Sequence, residues 1–367
     1  MSASSFGLTR WGTAKGRRLG GILLALAVLA MFPVVFPNAT VTTIAVYCLM
    51  YMAMATAWNT FSGFSGYVSL GHAVFFGTGA YTTALMATHL RLAGGYDLFG
   101  VAILGGLVAG VAAVPIGIVA LRTRRHTFVV ITIAVFFIFQ LVATNLSFTQ
   151  GSEGVVLPSG QFSASTYNDP FYGFLALVLL GTVAYAVGLR RSRFGLQLLA
   201  IRDDEDRARS LGVKVWRVKL LSYCFSAVLV GVVGGVWAFF VGQIYPQFAF
   251  DPTFDVTIAL MAFIGGLGTI AGPILGGLVL EGLQRYLILT VSIQNLYLVI
   301  YGALFLAVIV LMPDGVVPTL GRFLRRHGAV IGLQRLRGRG AREGLGAAEP
   351  TVAAPTGAPL EVGGGRR

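Results

Sequence analysis

Residues 63–81 read GFSGYVSLGHAVFFGTGAY, and this stretch decides what kind of protein the chain can form. It holds no Asp, Glu, Lys or Arg, yet glycine, serine and histidine interrupt its apolar sequence. Irregular backbone within a membrane is tolerated only where protein or a water-filled cavity covers it, and such breaks often form substrate paths. The stretch therefore indicates a broken membrane segment, which is either part of a substrate path or a tight turn packed by glycine.

The composition of the whole chain agrees with a membrane protein. Of its 367 residues, 56% are apolar and only 11% are charged, against about 25% charged residues in soluble domains. A soluble fold cannot cover its surface with so few charges, and a disordered chain would be far less hydrophobic. The net charge of +13 does not indicate nucleic acid binding, because no basic stretch is interleaved with aromatic residues in a soluble domain.

Apolar runs near the length of a membrane-crossing helix, about 20 residues, recur along the chain. We predict an all-α polytopic membrane protein with about ten transmembrane helices. The predicted spans cover residues 19–37, 40–61, 67–88, 98–121, 127–146, 171–189, 216–241, 256–270, 271–290 and 296–312.

The distribution of basic residues sets the orientation of these spans. Lys and Arg accumulate in cytoplasmic loops, and 25 of the 27 basic residues fall in four segments that ten spans would place on one side. The two longer loops on the other side, 147–170 and 242–255, carry Glu153, Asp169, Asp251 and Asp255 and neither Lys nor Arg. The pattern predicts that both termini are cytoplasmic. The four basic segments are 1–19, 122–126, 190–219 and 313–367.

The same charge pattern divides the chain into regions. We predict a basic cytoplasmic N-terminus over 1–18 and a transmembrane domain over 19–315 that contains a cytoplasmic loop at 190–215. Residues 316–367 are rich in Arg, Gly, Ala and Pro and read as a disordered cytoplasmic tail. Its basic residues either contact anionic membrane lipid or are simply solvated.

A second glycine-rich break, at 265–273, lies between the eighth and ninth spans. Spans 2–5 and 7–10 begin on opposite sides of the membrane, which makes an inverted repeat possible, with one break in each half. The alternative for each break is a packed turn, and for the histidine a hydrogen-bonded packing role. The candidate residues for a translocation path are Asn59, Gly63, Gly66, Ser69, Gly71, His72, Gly265, Gly266 and Gly268.

The cytoplasmic loop contains a short predicted helix over 203–212. Asp203 is suited to cap its N-terminus, the neighbouring acids favour the positive end of the helix dipole, and Gly212 suits a left-handed position after its end. An exposed helix between two spans either docks into a cytoplasmic partner or is a solvated surface helix. A metal site is the weaker reading of its acids.

Neither a nucleotide site nor a catalytic set of residues is expected in this chain. Its only lysines are Lys15, Lys214 and Lys219, and none follows a glycine, so a phosphate-binding loop ending in Gly-Lys is impossible. Cys48 and Cys224 lie in apolar runs, which excludes a disulfide framework or metal cluster built on them. If transport uses ATP, partner chains bind the ATP and its magnesium, and this chain needs no cofactor.

At these sites the sequence resembles the LivM-type permeases of bacterial ABC importers for branched-chain amino acids. The likeness runs from about residue 40 to 315 and is carried by four stretches: 63–81, 149–155 (TQGSEGV), 192–212 with the nearby KLL at 219–221, and 263–277 (FIGGLGTIAGPILGG).

The resemblance implies a set of partners and a docking helix. The partners are a second permease chain, two cytoplasmic ATPase subunits and an extracytoplasmic binding protein. Residues 205–212 would then be the coupling helix that seats in a groove of the ATPase. The residues assigned to this coupling are Asp203, Glu205, Asp206, Ala208 and Gly212.

Two positions depart from the family pattern. Arg207 stands where the family commonly has a second alanine beside Ala208, and Gln150 replaces the first glycine of an outer Thr-Gly-Gly motif. Because relatives import urea or short amides through similar permeases, such a permease is the first alternative to an importer of branched-chain amino acids.

We therefore interpret the chain as a permease subunit of an ATP-driven importer of branched-chain amino acids in the bacterial cytoplasmic (inner) membrane. A second alternative is a secondary transporter that works alone. Such a transporter typically needs intramembrane acids to couple ions, and the sequence offers Glu281, four residues before Arg285. The (i, i+4) spacing of that pair predicts mutual neutralisation on one helix face.

Overall fold

The computed structural model describes residues 31–32, 35–36, 38–158, 161–163, 166–290 and 315–319, with isolated positions between 299 and 310. The predicted N-terminus 1–18, most of the first and tenth spans, and the tail beyond 319 lie outside the described residues. Within the described part the chain is helical apart from one pairing of two short strands, which confirms the all-α prediction in outline.

Eight long helices match predicted spans two to nine in order. They are α1 (Ala39–Ser65), α2 (His72–His89), α3 (Asp97–Ala120), α4 (Arg125–Asn145), α5 (Asn168–Arg191), α8 (Val215–Val241), α10 (Pro252–Gly265) and α11 (Ala271–Thr290). Three short helices lie between them, namely α6 (Arg193–Asp203), α7 (Glu205–Ser210) and α9 (Pro246–Ala249).

Among the described residues, six segments are long and apolar enough to cross a membrane by length and composition. They are α1, α3, α4, α5, α8 and the stretch Pro246–Gly265, which joins α9 to α10. At about 1.5 Å per residue, α10 alone is about 21 Å long, shorter than a hydrocarbon core of about 30 Å. The helix α10 is therefore too short to cross by itself, and the candidate span of 20 residues also includes α9.

Helices α2, α3 and α8 pack against one another over most of their lengths, and small residues allow this close approach. A Cβ at Gly79 of α2 would collide with the backbone of Gly231 on α8, and a Cβ at Gly105 of α3 would lie 2.7 Å from the carbonyl of Gly79. Since lipid is as apolar as the side chains, such packing is a main source of helix association in membranes.

The loop after α4 differs from a plain turn. Two 3₁₀ turns, Ser147–Thr149 and Gly151–Glu153, lead into strand β1 (Val155–Val156), which pairs antiparallel with β2 (Gln243–Ile244). Gln150 between the turns has φ +57°, a left-handed conformation that costs an L-residue about 1–2 kcal/mol relative to glycine. Glycine adopts this conformation without that cost, which suits the glycine expected at this position from the family resemblance.

Candidate functional site

The first predicted break is present between α1 and α2, where residues 66–71 form no helix. Gly66 ends α1 with φ +73°, and the chain then turns back alongside the helix it has just left. The indole Nε1 of Trp58 donates to the carbonyl of Ser69 at 2.8 Å. Because Trp58 lies seven residues before the end of α1, the segment lies against the last two turns of that helix.

The backbone of this segment belongs to no helix or sheet, so side chains supply its hydrogen-bond partners. The Ser69 N–H donates to the hydroxyl of Ser62 at 3.3 Å, and the Leu70 N–H donates to the hydroxyl of Thr132 on α4 at 3.2 Å. An unpaired buried N–H costs about 1–3 kcal/mol. The fold thus places a polar partner beside each of these groups, and the break is covered by protein.

His72, the first residue of α2, is fully buried and bonded on both sides of its ring. Its Nδ1 lies 2.9 Å from the hydroxyl of Ser69, and its Nε2 lies 2.9 Å from that of Ser226 on α8. Ser226 donates its proton to the carbonyl of Ala57 at 2.8 Å. One arrangement satisfies every group: the imidazole carries its proton on Nε2, and Nδ1 accepts from Ser69.

The structure adds a residue that the sequence interpretation placed in an outer loop. Asp255 lies in the first turn of α10 and is 2% exposed, and both its carboxylate oxygens accept from the Ala73 N–H, at 3.0 and 3.1 Å. The N-terminus of α2 thus meets the start of α10, and we call this contact, made by Ser69, His72, Ala73 and Asp255, the junction. A carboxylate is stabilised there by the free N–H groups and dipole of the helix end.

A further interruption, between α8 and α10, leads into this junction. Helix α8 ends at Gly242, which has φ +79°, and the chain runs through β2 and α9 before α10 begins. The carbonyl of Phe250 accepts from the side chain of Gln140 on α4 at 2.8 Å, and its ring stacks on Tyr81 of α2 with centroids 5.8 Å apart. The sequence analysis predicted residues 242–255 as an outer loop, but it did not predict that this chain packs against α2 and α4.

The predicted break at 265–273 is a tight turn between α10 and α11. The amide of Asn59 on α1 donates to the carbonyl of Thr269 at 2.8 Å and accepts from the N–H of Gly268 at 2.8 Å. Gly266 and Gly268 have φ of +119° and +78°. The two hydrogen bonds of the Asn59 amide hold this turn, which directly follows α10, against α1.

The same turn contacts the predicted cytoplasmic loop through the side chain of Arg202. Arg202 of α6 donates to the carbonyl of Gly63 at 2.7 Å, and a Cβ at Gly268 would collide with its guanidinium. The predicted path residues therefore separate into two groups. Asn59, Gly63, Gly66, Gly265, Gly266 and Gly268 surround this turn, whereas Ser69, Gly71 and His72 belong to the junction of α2 and α10.

The predicted cytoplasmic loop 190–215 contains two short helices, α6 and α7, and the residue that caps the second differs from the prediction. Asp203 is the last residue of α6, and Asp204 caps α7 by accepting from the N–H groups of Asp206 and Arg207, each at 3.0 Å. Gly212 adopts φ +87° with open space around it. Beside it, Leu211 is 84% exposed, an aliphatic side chain at the tip of the loop.

The residues assigned to coupling do not share one face. Asp206 is exposed, whereas Ala208 is buried and the Glu205 side chain is only 21% exposed. Burial raises the pKa of Glu205, but the hydrogen bond from Tyr67 and the Lys219 ammonium outweigh it, so the pKa lies below its usual range. Glu205 is therefore charged at neutral pH and points into the protein.

Glu281 and Arg285 form the predicted pair, with Oε1 2.7 Å from Nε. The guanidinium also lies over the ring of Tyr47, 3.6 Å from its centroid. In the part of the chain that the structure describes, no group of three or more His, Cys, Asp or Glu is placed to hold a metal ion.

Comparison with known proteins gives a consistent family. The model of the family "Branched-chain amino acid transport system / permease component" matches residues 40–309. The chain is 28% identical to the high-affinity branched-chain amino acid transport system permease protein LivM of Escherichia coli K12, over 85% of this chain and 78% of that protein. It is also 28% identical to LivH of the same organism, over 74% of this chain and 91% of LivH. No solved structure matches the chain.

We expect the Thr132→Val substitution to destabilise the protein, because it leaves the N–H of the half-buried Leu70 without its acceptor at nearly constant volume. The expected loss is about 1–3 kcal/mol, seen as a lower midpoint of thermal unfolding in detergent. Thr182→Val is the matched control, since the buried Thr182 hydroxyl bonds only to the Val178 carbonyl of its own helix. Equal midpoints for the two variants would contradict the role given to Thr132.

Proposed function

Because the chain belongs to the family of permease components of branched-chain amino acid transport systems, we propose that it carries leucine, isoleucine and valine through the cytoplasmic membrane of a bacterium. It is a multi-pass membrane protein and the transmembrane component of an ABC transporter, not itself the ATPase. The family match over 40–309, which spans every element of the junction, carries the proposal.

The chemistry of the junction supports an amino acid with an aliphatic side chain as substrate. Aromatic rings of Phe61, Phe75 and Tyr223 surround His72 and offer an apolar lining. The Ser69 hydroxyl, the Asp255 carboxylate and the N-terminal end of α2 offer groups for a zwitterion. Interrupted helices whose ends point at substrate charges are a recurring design of transporters.

The two halves of the chain support the possible inverted repeat of spans 2–5 and 7–10. Helices α1 and α8 each have 27 residues, each ends at a left-handed glycine, and an irregular segment follows each before the next helix begins. By this correspondence the counterpart of 66–71 is 242–251 rather than 265–273. The topology that we propose keeps ten spans and both termini in the cytoplasm.

The partners that we propose follow from the relatives, which are permeases of transport systems. They are a second permease chain, two cytoplasmic ATPase subunits and an extracytoplasmic binding protein. The exposed face of α7 and the tip at Leu211 and Gly212 are the part of the loop available to seat in an ATPase. Its movement on ATP binding would then change the access of the junction from one side to the other.

A permease for urea or a short amide is the alternative substrate class. We expect the complete transporter, reconstituted with its binding protein, to take up leucine on ATP addition and to ignore urea. Competition by isoleucine and valine, but not by acetamide, is the matching control. Uptake of urea or acetamide without leucine would reverse the substrate assignment and leave the permease assignment in place.

The proposed topology predicts where an introduced cysteine can be labelled. In a background with Cys48→Ala and Cys224→Ala, a membrane-impermeant maleimide should reach Gln161→Cys in intact cells, because Gln161 lies in an exposed outer loop. Ser210→Cys on α7 should react only after the membrane is opened. Labelling of both from outside would overturn the orientation.

The docking surface predicts the effect of a charge at its tip. Leu211→Asp should reduce the amount of ATPase that co-purifies with the permease by about tenfold or more, since a buried unpaired charge costs several kcal/mol. The matched control is Val156→Asp, because Val156 is also exposed but lies in the outer strand pair. Normal ATPase recovery with Leu211→Asp would remove the loop tip from the interface.

A further inference from the structure

Glu205 makes contacts that a docking surface does not explain. Its Oε2 accepts from the hydroxyl of Tyr67, and its Oε1 lies 3.2 Å from the ammonium of Lys219 and 3.3 Å from Arg209. Glu205 is the first residue of α7, Lys219 lies in the second turn of α8, and Tyr67 lies in the irregular segment 66–71. One carboxylate therefore joins three separate parts of the chain.

Burial makes this cluster harder to open than the surface ion pairs around it. Tyr67 is fully buried and the Lys219 side chain is 3% exposed, with its ammonium over the Tyr67 ring, 4.1 Å from the centroid. The pair of Arg207 and Asp204 on the same helix is largely exposed, and exposed pairs open at little cost. Separating a buried charge from its partner is strongly unfavourable, so α7, α8 and Tyr67 are held together.

From Tyr67 the connection to the junction is short. Ser69 follows two residues later, and its hydroxyl meets the imidazole of His72. The backbone between them is fixed by Trp58 and Ser62 of α1, which leaves the segment little freedom to absorb a displacement. A cleft of about 470 Å³ beside the cluster, lined by Tyr67, 122–126, 203–206 and Arg209, gives α7 room to move.

We propose that Glu205 and Tyr67 are positioning residues that transmit the displacement of α7 to segment 66–71, and so to Ser69 and His72. This inference rests on the proposed function, in which the outer face of α7 meets an ATPase. It assigns two tasks to the ends of one short helix: Leu211, which directly follows α7, contacts the ATPase, and Glu205, the first residue of α7, carries the movement inward. Arg209, exposed at the rim, keeps Glu205 paired without taking part in the link.

The test uses Tyr67→Phe in the complete transporter, reconstituted with its binding protein and loaded with leucine. The substitution removes one hydroxyl and keeps the ring, the contact with Lys219 and the ion pair of Glu205. We expect normal ATPase co-purification and, because a hydrogen bond to a charged group is lost, a modestly lower unfolding midpoint. At a temperature well below that midpoint we expect about tenfold more ATP hydrolysed per leucine imported. Tyr81→Phe is the matched control, because the buried Tyr81 hydroxyl has no hydrogen-bond partner among the described residues.

A second variant separates the bond from the charge. Glu205→Gln keeps an oxygen that accepts from Tyr67, so its ATP consumption per leucine should rise less than that of Tyr67→Phe. The reverse order would overturn the proposal, since the charge of Glu205 and not its bond to Tyr67 would then govern coupling. A wild-type ratio in Tyr67→Phe would overturn it too, as would a loss of transport that merely follows a lower unfolding midpoint.

The outcomes are distinguishable from a failure of the proposed function. If wild-type transporter takes up no leucine on ATP addition, or if Leu211→Asp retains the ATPase, the function or the docking surface is wrong. If both of those results are as expected and Tyr67→Phe alone behaves as wild type, only the internal link fails.

Discussion

The backbone of residues 66–71 has to find hydrogen-bond partners inside the protein, and this requirement organises the structure around it. A helix satisfies its own N–H and carbonyl groups, whereas this segment depends on Ser62, Trp58 and Thr132. These partners come from α1 and α4, so both helices must lie against the segment. Because Ser69 is buried, water does not replace these partners, and the break is therefore tolerated only as part of a packed core.

The same requirement explains why the junction is polar but closed. Once α2 begins in the interior, its N-terminal N–H groups need an acceptor, and Asp255 supplies one from the start of α10. His72 uses the hydroxyls of Ser69 and Ser226 in a similar way. In the function that we propose, the polar groups that would meet a zwitterion are also the groups that join α2 to α10, so opening a path there would require these bonds to loosen.

Some features were predictable because they depend on local sequence. The order of helices, the break after Gly66, the turn at 265–273 and the pair of Glu281 and Arg285 all follow from apolar periodicity, glycine and (i, i+4) spacing. Residues 242–251 were predicted as part of an outer loop, but their packing in the interior was not, because it is set by contacts with Gln140 and Tyr81 on distant helices. Asp255 was placed in the same outer loop because the predicted span began at residue 256, whereas α10 begins at Pro252.

The sequence by itself determined that the chain is an all-helical membrane protein, since hydropathy acts over single segments and needs no knowledge of neighbours. Only the tertiary structure decided which polar residues meet. Glu205 looked like a solvated acid of a surface helix, yet Tyr67 and Lys219, 138 and 14 residues away, turn it inward. The physical reason is that a buried polar group takes the partner that the packing of distant helices provides, and spacing along the chain carries no information about that partner.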